Sequence, residues 1–176
     1  MSELPRLQGD MDGLCGIYSI LNATTYLSPR PLDDKEEEAL FWALASSIKR
    51  WPHVLKTGLT VREIPKAVKT ASKWLQKSRG ATLECSLPFK SKKYDGDWDR
   101  FFDDLHQNIA DPLTAAILGL VEPLEHWTVA TEVKKQRIML KDSMKTKHIN
   151  RENAGLAGSD SRYIVDPKTT FILKRG

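Results

Sequence analysis

The stretch LTAAILGLVEPLEHWTVATEVKKQRIMLKDS (residues 113–143) decides how the chain folds. It opens on an unbroken apolar run, Leu113–Val121, the pattern of a central strand. After the turn residues VEPLE come two short runs rich in β-branched and aromatic residues, HWTVATEV (126–133) and KQRIMLKDS (135–143). A second turn near Lys134–Gln136 divides them, so they read as a hairpin. RYIVDP (162–167) and TFILKR (170–175) continue in the same character.

Upstream, the period changes to that of helices. From Leu14 to Tyr26, residues Ile17, Ile20, Leu21 and Thr24 recur at helical spacing. PLDDKEEEALFWALASSIKRW (31–51) places acids in its first turn and Lys49 and Arg50 in its last, and predicts one helix stopped by Pro52. TVREIPKAVKTASKWLQKSRG (60–80) carries a Thr60–Glu63 capping box, starts near Ile64 and closes at Gly80. YDGDWDRFFDDLHQNIAD (94–111) predicts a fourth helix capped near Asp97, with Trp98, Phe101, Phe102 and Leu105 facing inward. Cys85, in the alternating run ATLECSLPF, reads as a small buried hydrophobe. The polar segment 145–161, containing GLAGS, reads as a long mobile loop. Helices first and strands later predict an α+β fold in one domain, 1–176. A helical half (about 1–110) packs on an antiparallel sheet (about 111–176).

Composition narrows the function. The net charge is +4 among scattered basic residues, whose densest groups are KSKK, KTASKWLQKSR and MKTKH. These read as solvated faces, without the clustered excess that nucleic acid requires. The run Leu113–Val121 falls well short of the roughly 20 residues needed to span a bilayer. MSELPRLQGDMDG (1–13) has no apolar signal core. The expectation is a cytoplasmic chain, or one delivered by a route without a cleaved signal. Two cysteines make no disulfide framework.

One of them is placed for chemistry. In QGDMDGLCGIYSILNAT (8–24), Cys15 stands between Leu14 and Gly16 where a helix begins. The N–H groups and positive dipole end of a helix start favour a thiolate. A nucleophile needs a base, and four histidines are available. His53 follows Trp-Pro at a helix end, His106 lies on a helix surface and His148 lies in the polar loop, whereas His126 opens a strand and can point into a cleft. If the hairpin forms, Asp142 at the end of the next strand lies beside His126. It would orient the imidazole and stabilise the imidazolium. Asp166, also at a strand end, is the competing orienter, and Asp142 is preferred. Gln8, seven residues before Cys15, is placed to join the Cys15 amide as an oxyanion donor.

The order Gln8, Cys15-Gly16, His126, Asp142 resembles the papain-like cysteine peptidases. Within them it is similar to the bacterial double-glycine peptidases that trim bacteriocin leaders, where a Gln and Asp-Cys-Gly open the domain and His-Trp and a strand-end Asp close it. Here GLCG stands in place of Asp-Cys-Gly, and Asp-Pro occurs at 166–167 rather than at Asp142. The resemblance implies an active-site cleft between the two halves, a protein or peptide substrate cut at a Gly-rich site, and no metal or cofactor. An isolated domain of this kind is also similar to bacterial effector and toxin domains, which are delivered by secretion systems and neutralised by cognate immunity proteins. Two other readings stay open. A deamidase, acyltransferase or cell-wall peptide amidase would use the same Cys-His-Asp chemistry on another substrate, and an inert binding module would keep only the scaffold.

Overall fold

A computed structural model describes residues 13–121 and 123–176. The helices are α1 (Cys15–Leu27), α2 (Asp34–Ser46), α3 (Trp51–Thr57), α4 (Ile64–Arg79) and α5 (Trp98–Asn108). The strands are β1 (Leu83–Ser86), β2 (Thr114–Leu120), β3 (His126–Lys134), β4 (Arg137–Lys141), β5 (His148–Asn150), β6 (Ala154–Gly155), β7 (Tyr163–Ile164) and β8 (Phe171–Arg175). Strands β1-β8-β2-β3-β4-β5 form one antiparallel sheet in that order, and β6 and β7 pair separately in parallel. The α+β class is as expected. Among the described residues, no helix is long and apolar enough to cross a membrane.

Local chemistry explains most helix limits. Asp33 and Glu36 form a reciprocal capping box at α2, each side chain accepting from the other's backbone N–H. The helix expected over 31–51 divides: α2 ends at Ser46, and Pro52 sits in the first turn of α3 rather than stopping α2. Proline is tolerated there because first-turn N–H groups have no partner within the helix. Glu63 reaches back to Thr60 N and Oγ1 before α4, and Gly80 ends that helix at φ +69°. On α4, Ile64, Val68, Ala71 and Leu75 are all buried on one stripe. Asp97 caps α5 by accepting from Arg100 N.

The sheet is covered on both faces, so β2 is buried along its whole length. One core joins α1–α4 to Ala115, Ile117, Val129, Phe171 and Leu173. The other joins α5, through Phe101, Phe102 and Leu105, to Ala116, Leu118, Ala130 and Ile172. The helices are therefore not gathered in one half, because α5 lies on the opposite face from α1. Strand β1, inside the expected helical half, pairs with β8 at the sheet edge. The segment 145–161 is not a structureless loop. It contributes β5 to the sheet, and Ile149, Ala154 and Leu156 to the second core.

The β3–β4 hairpin contains the decisive irregularity. Near its turn the pairs are Lys134↔Arg137, Val133↔Ile138 and Glu132↔Met139, and then the register shifts to Ala130↔Leu140 and Val129↔Lys141. Thr131 is the surplus residue of a β-bulge. Opposed residues share a face, so a one-residue shift exchanges the faces of everything beyond it. With the bulge, continuing the ladder sets Asp142 opposite Thr128, on the face that carries His126. Without it, Asp142 would stand opposite Val129, whose side chain belongs to the other core.

Candidate active site

Cys15 is the first residue of α1 and is buried, with Leu14 at the N-cap offering no side-chain cap. The turn before it is held by backbone contact. Gly13 N donates to Leu55 O at 2.9 Å. A Cβ on Gly13 would lie 2.8 Å from both Gly58 N and Val54 O. Gly58 itself has φ +74°, a conformation that suits glycine.

Helix α1 is tied to β3 at two levels. Ser19 Oγ donates to Trp127 O at 2.8 Å, and Tyr26 Oη donates to the carbonyl of the bulge residue Thr131 at 3.3 Å. The two spans are similar, within about one strand residue: seven helical residues rise about 10 Å and four strand residues about 13 Å. Extending both elements back from the Ser19–Trp127 contact brings Cys15 level with His126. Trp127 adds a third tie, its indole N–H donating to Leu59 O at 2.9 Å. Leu59 in turn packs on Gly16.

His126 is the first residue of β3, paired with Leu120 at the end of β2. Its Nε2 lies 2.6 Å from Asp142 Oδ1. The thiol of Cys15 is also within hydrogen-bonding reach of the ring. With Nε2 engaged by Asp142, Nδ1 is the nitrogen left for the thiol. Burial by itself lowers the imidazole pKa, but the hydrogen bonds to Asp142 and Cys15 outweigh it and raise the pKa to about 9.

Asp142 is almost fully buried. Burial favours its neutral form, but the hydrogen bond to His126 and the imidazolium charge hold its pKa below the usual carboxylate range. Its Oδ2 accepts from the backbone N–H groups of Met144 and Thr146, each at 3.1 Å. Thr128 Oγ1, buried on the same face, has no hydrogen bond of good geometry, although its hydroxyl contributes to keeping the carboxylate ionised. The bends that aim these groups lie in left-handed conformations, Glu125 at φ +41° before His126 and Lys145 at φ +69° beneath Asp142. Such strain in non-glycine residues gathers where function over-determines the backbone.

Of the residues singled out in the sequence, Cys15, His126 and Asp142 meet. Gln8 lies outside the described residues. Asp166 does not reach the imidazole: its Oδ1 accepts from Lys168 N, capping a short 3-10 turn. His53 bonds Thr57 within α3, His106 is exposed on α5, and His148 lies on β5 rather than in a loop. Cys85 is half-buried on β1, where burial pushes its thiol up to about 11. Sequence reading missed Ser19 and Thr128. Thr128 was accessible from strand alternation with His126, whereas Ser19 carried no signal. Among the described residues, no cluster of three metal-ligating side chains occurs.

No model of a known protein family matches the chain, and neither does any curated protein.

Proposed function

We propose that the protein is a cysteine peptidase of papain-like mechanism, a thiol endopeptidase acting through Cys15. The observation that carries this reading is the short Asp142–His126 hydrogen bond on one side of an imidazole whose other side faces the thiol at a helix start. A raised imidazole pKa keeps His126 protonated at neutral pH, so the ring holds the proton that the leaving amine requires.

In the proposed reaction, Sγ of Cys15 attacks the substrate carbonyl carbon. A C–S bond forms and the carbonyl π pair moves onto oxygen. The Cys15 backbone N–H, at the positive end of α1, stabilises that oxyanion, with Gln8 proposed as the second donor. As the C–N bond breaks, His126 Nδ1 gives its proton to the leaving amine, and a thioester remains. His126 then takes a proton from water, hydroxide adds to the thioester, and the C–S bond breaks to return the thiolate. Asp142 stays ionised throughout and fixes which ring nitrogen faces the sulfur.

The test is incubation of wild type and Cys15→Ala with a bacterial lysate, followed by sequencing of new protein N-termini and intact-mass analysis. New N-termini that depend on Cys15 are expected. A one-dalton gain on Gln, a new isopeptide or cut muropeptides would instead assign the same triad to deamidation, acyl transfer or cell-wall amide cleavage. Cys85 is an internal control, because its thiol is protonated at neutral pH. If iodoacetamide labels Cys15 no faster than Cys85, the reading becomes that of an inert scaffold.

A further inference from the structure

The His126–Asp142 pair lines a cavity of about 250 Å³, whose other walls include Leu120, Leu140 and Ile149. Two exposed apolar side chains, Leu124 and Met144, stand at it, and they are two of the four large exposed hydrophobic residues among the described residues. Arg162 also lines it, its guanidinium 5.3 Å from the centre of the Tyr163 ring and without a carboxylate partner among the described residues. The volume is below the roughly 300–1,000 Å³ of cofactor and drug-sized sites, and suits one large side chain.

We infer that this cavity receives a large apolar side chain on the leaving-group side of the scissile bond, and that Arg162 favours an acidic residue next to it. The inference rests on the peptidase reading above. The imidazole that protonates the leaving amine must stand beside that nitrogen. The residue bearing the nitrogen therefore passes along His126, which is also a wall of the cavity. Beyond His126, the apolar walls Leu120, Leu140 and Ile149 suit that residue's side chain. Burying it there removes from water both its own surface and that of Leu124 and Met144. The chain that continues past it meets the exposed guanidinium of Arg162, which pairs with a carboxylate.

The specificity can be read from the residues that open the new N-termini when wild type digests a proteome-derived peptide library. Leu, Ile, Met or Phe should exceed glycine at the first position by about tenfold, corrected for library content. Asp or Glu should be enriched at the second. Arg162→Glu should reverse the charge preference, and Leu124→Ala should weaken the apolar one, both with the Cys15 alkylation rate unchanged. Cys15-dependent cleavage with no preference at either position overturns the pocket and leaves the peptidase standing. A second arm needs no catalysis. Methyl NMR of the Cys15→Ala protein should show Leu124 and Met144 signals shifting with a heptapeptide beginning Leu-Glu, and not with one beginning Gly-Lys. Shifts with both peptides or with neither overturn the inference, even if the lysate experiment has assigned another reaction.

Discussion

The hydroxyl of Ser19 donates to the main-chain carbonyl of Trp127 at 2.8 Å, and this contact sets the height of the Cys15 helix against the strand that begins at His126. Ser19 lies one turn beyond Cys15 on α1 and Trp127 immediately follows His126, so the bond links nucleophile and base through short, stiff segments. Ser19→Ala removes the donor and leaves a carbonyl short of a partner beside a buried side chain. The expected cost is about 1–2 kcal/mol in denaturant unfolding. Turnover should fall with KM little changed, because the loss is in alignment rather than in binding. Unaltered turnover in a destabilised variant would assign Ser19 to stability alone.

Asp142→Asn tests the orienter. Two backbone donors already occupy Oδ2, so the amide oxygen takes that place and the NH2 group faces Nε2, where it cannot accept from an imidazolium as a carboxylate does. The His126 pKa should drop from about 9 to near or below its ordinary 6.5, measurable by NMR of the ring protons. Activity should fall on the order of 10²–10⁴-fold. A titration that stays near 9 would show that Cys15, not Asp142, sustains the charge.

Stability should follow pH through the same pair. The raised pKa of His126 gives stabilisation that is complete below 6.5 and lost as pH rises through about 9. The lowered pKa of Asp142 gives stabilisation that is complete above 3.8 and lost as pH falls through its folded value. The pair therefore contributes most between those ordinary values of 3.8 and 6.5. Urea midpoints measured across pH should show both limbs in wild type, and both should be shallower in Asp142→Asn. Parallel profiles would place the titrating groups elsewhere.

Gly13→Ala addresses the turn that presents the thiol. The added methyl meets backbone atoms of α3 at 2.8 Å, which no flexible side chain can relieve. A destabilisation of about 1–3 kcal/mol is expected. The rate of Cys15 alkylation should change with it, because the turn must move. A variant with wild-type stability and reactivity would mean that α3 yields freely.

The limits of α4 near Ile64 and at Gly80, the Asp97 cap and inward face of α5, the apolar run of β2 and the β3–β4 hairpin were legible in the sequence because they are local. Each depends on residues a few positions apart, through capping hydrogen bonds or the periods of helix and strand. Cys15 and His126 stood out for the same reason, each at the start of an element. What remained hidden was non-local. No pattern in the chain says that α5 crosses to the second face of the sheet, or that residues 148–150 extend it beyond β4. Above all, Asp142 and Asp166 both stand at strand ends, the hairpin favoured Asp142, and tertiary structure shows why that acid meets the imidazole. Asp166 folds back onto its own turn. Asp142 shares a face with His126 because Thr131 is left unpaired in the hairpin. Side chains alternate with a period of two, so one surplus residue decides which acid a histidine meets, and only the pairing of two strands shows whether that residue is surplus.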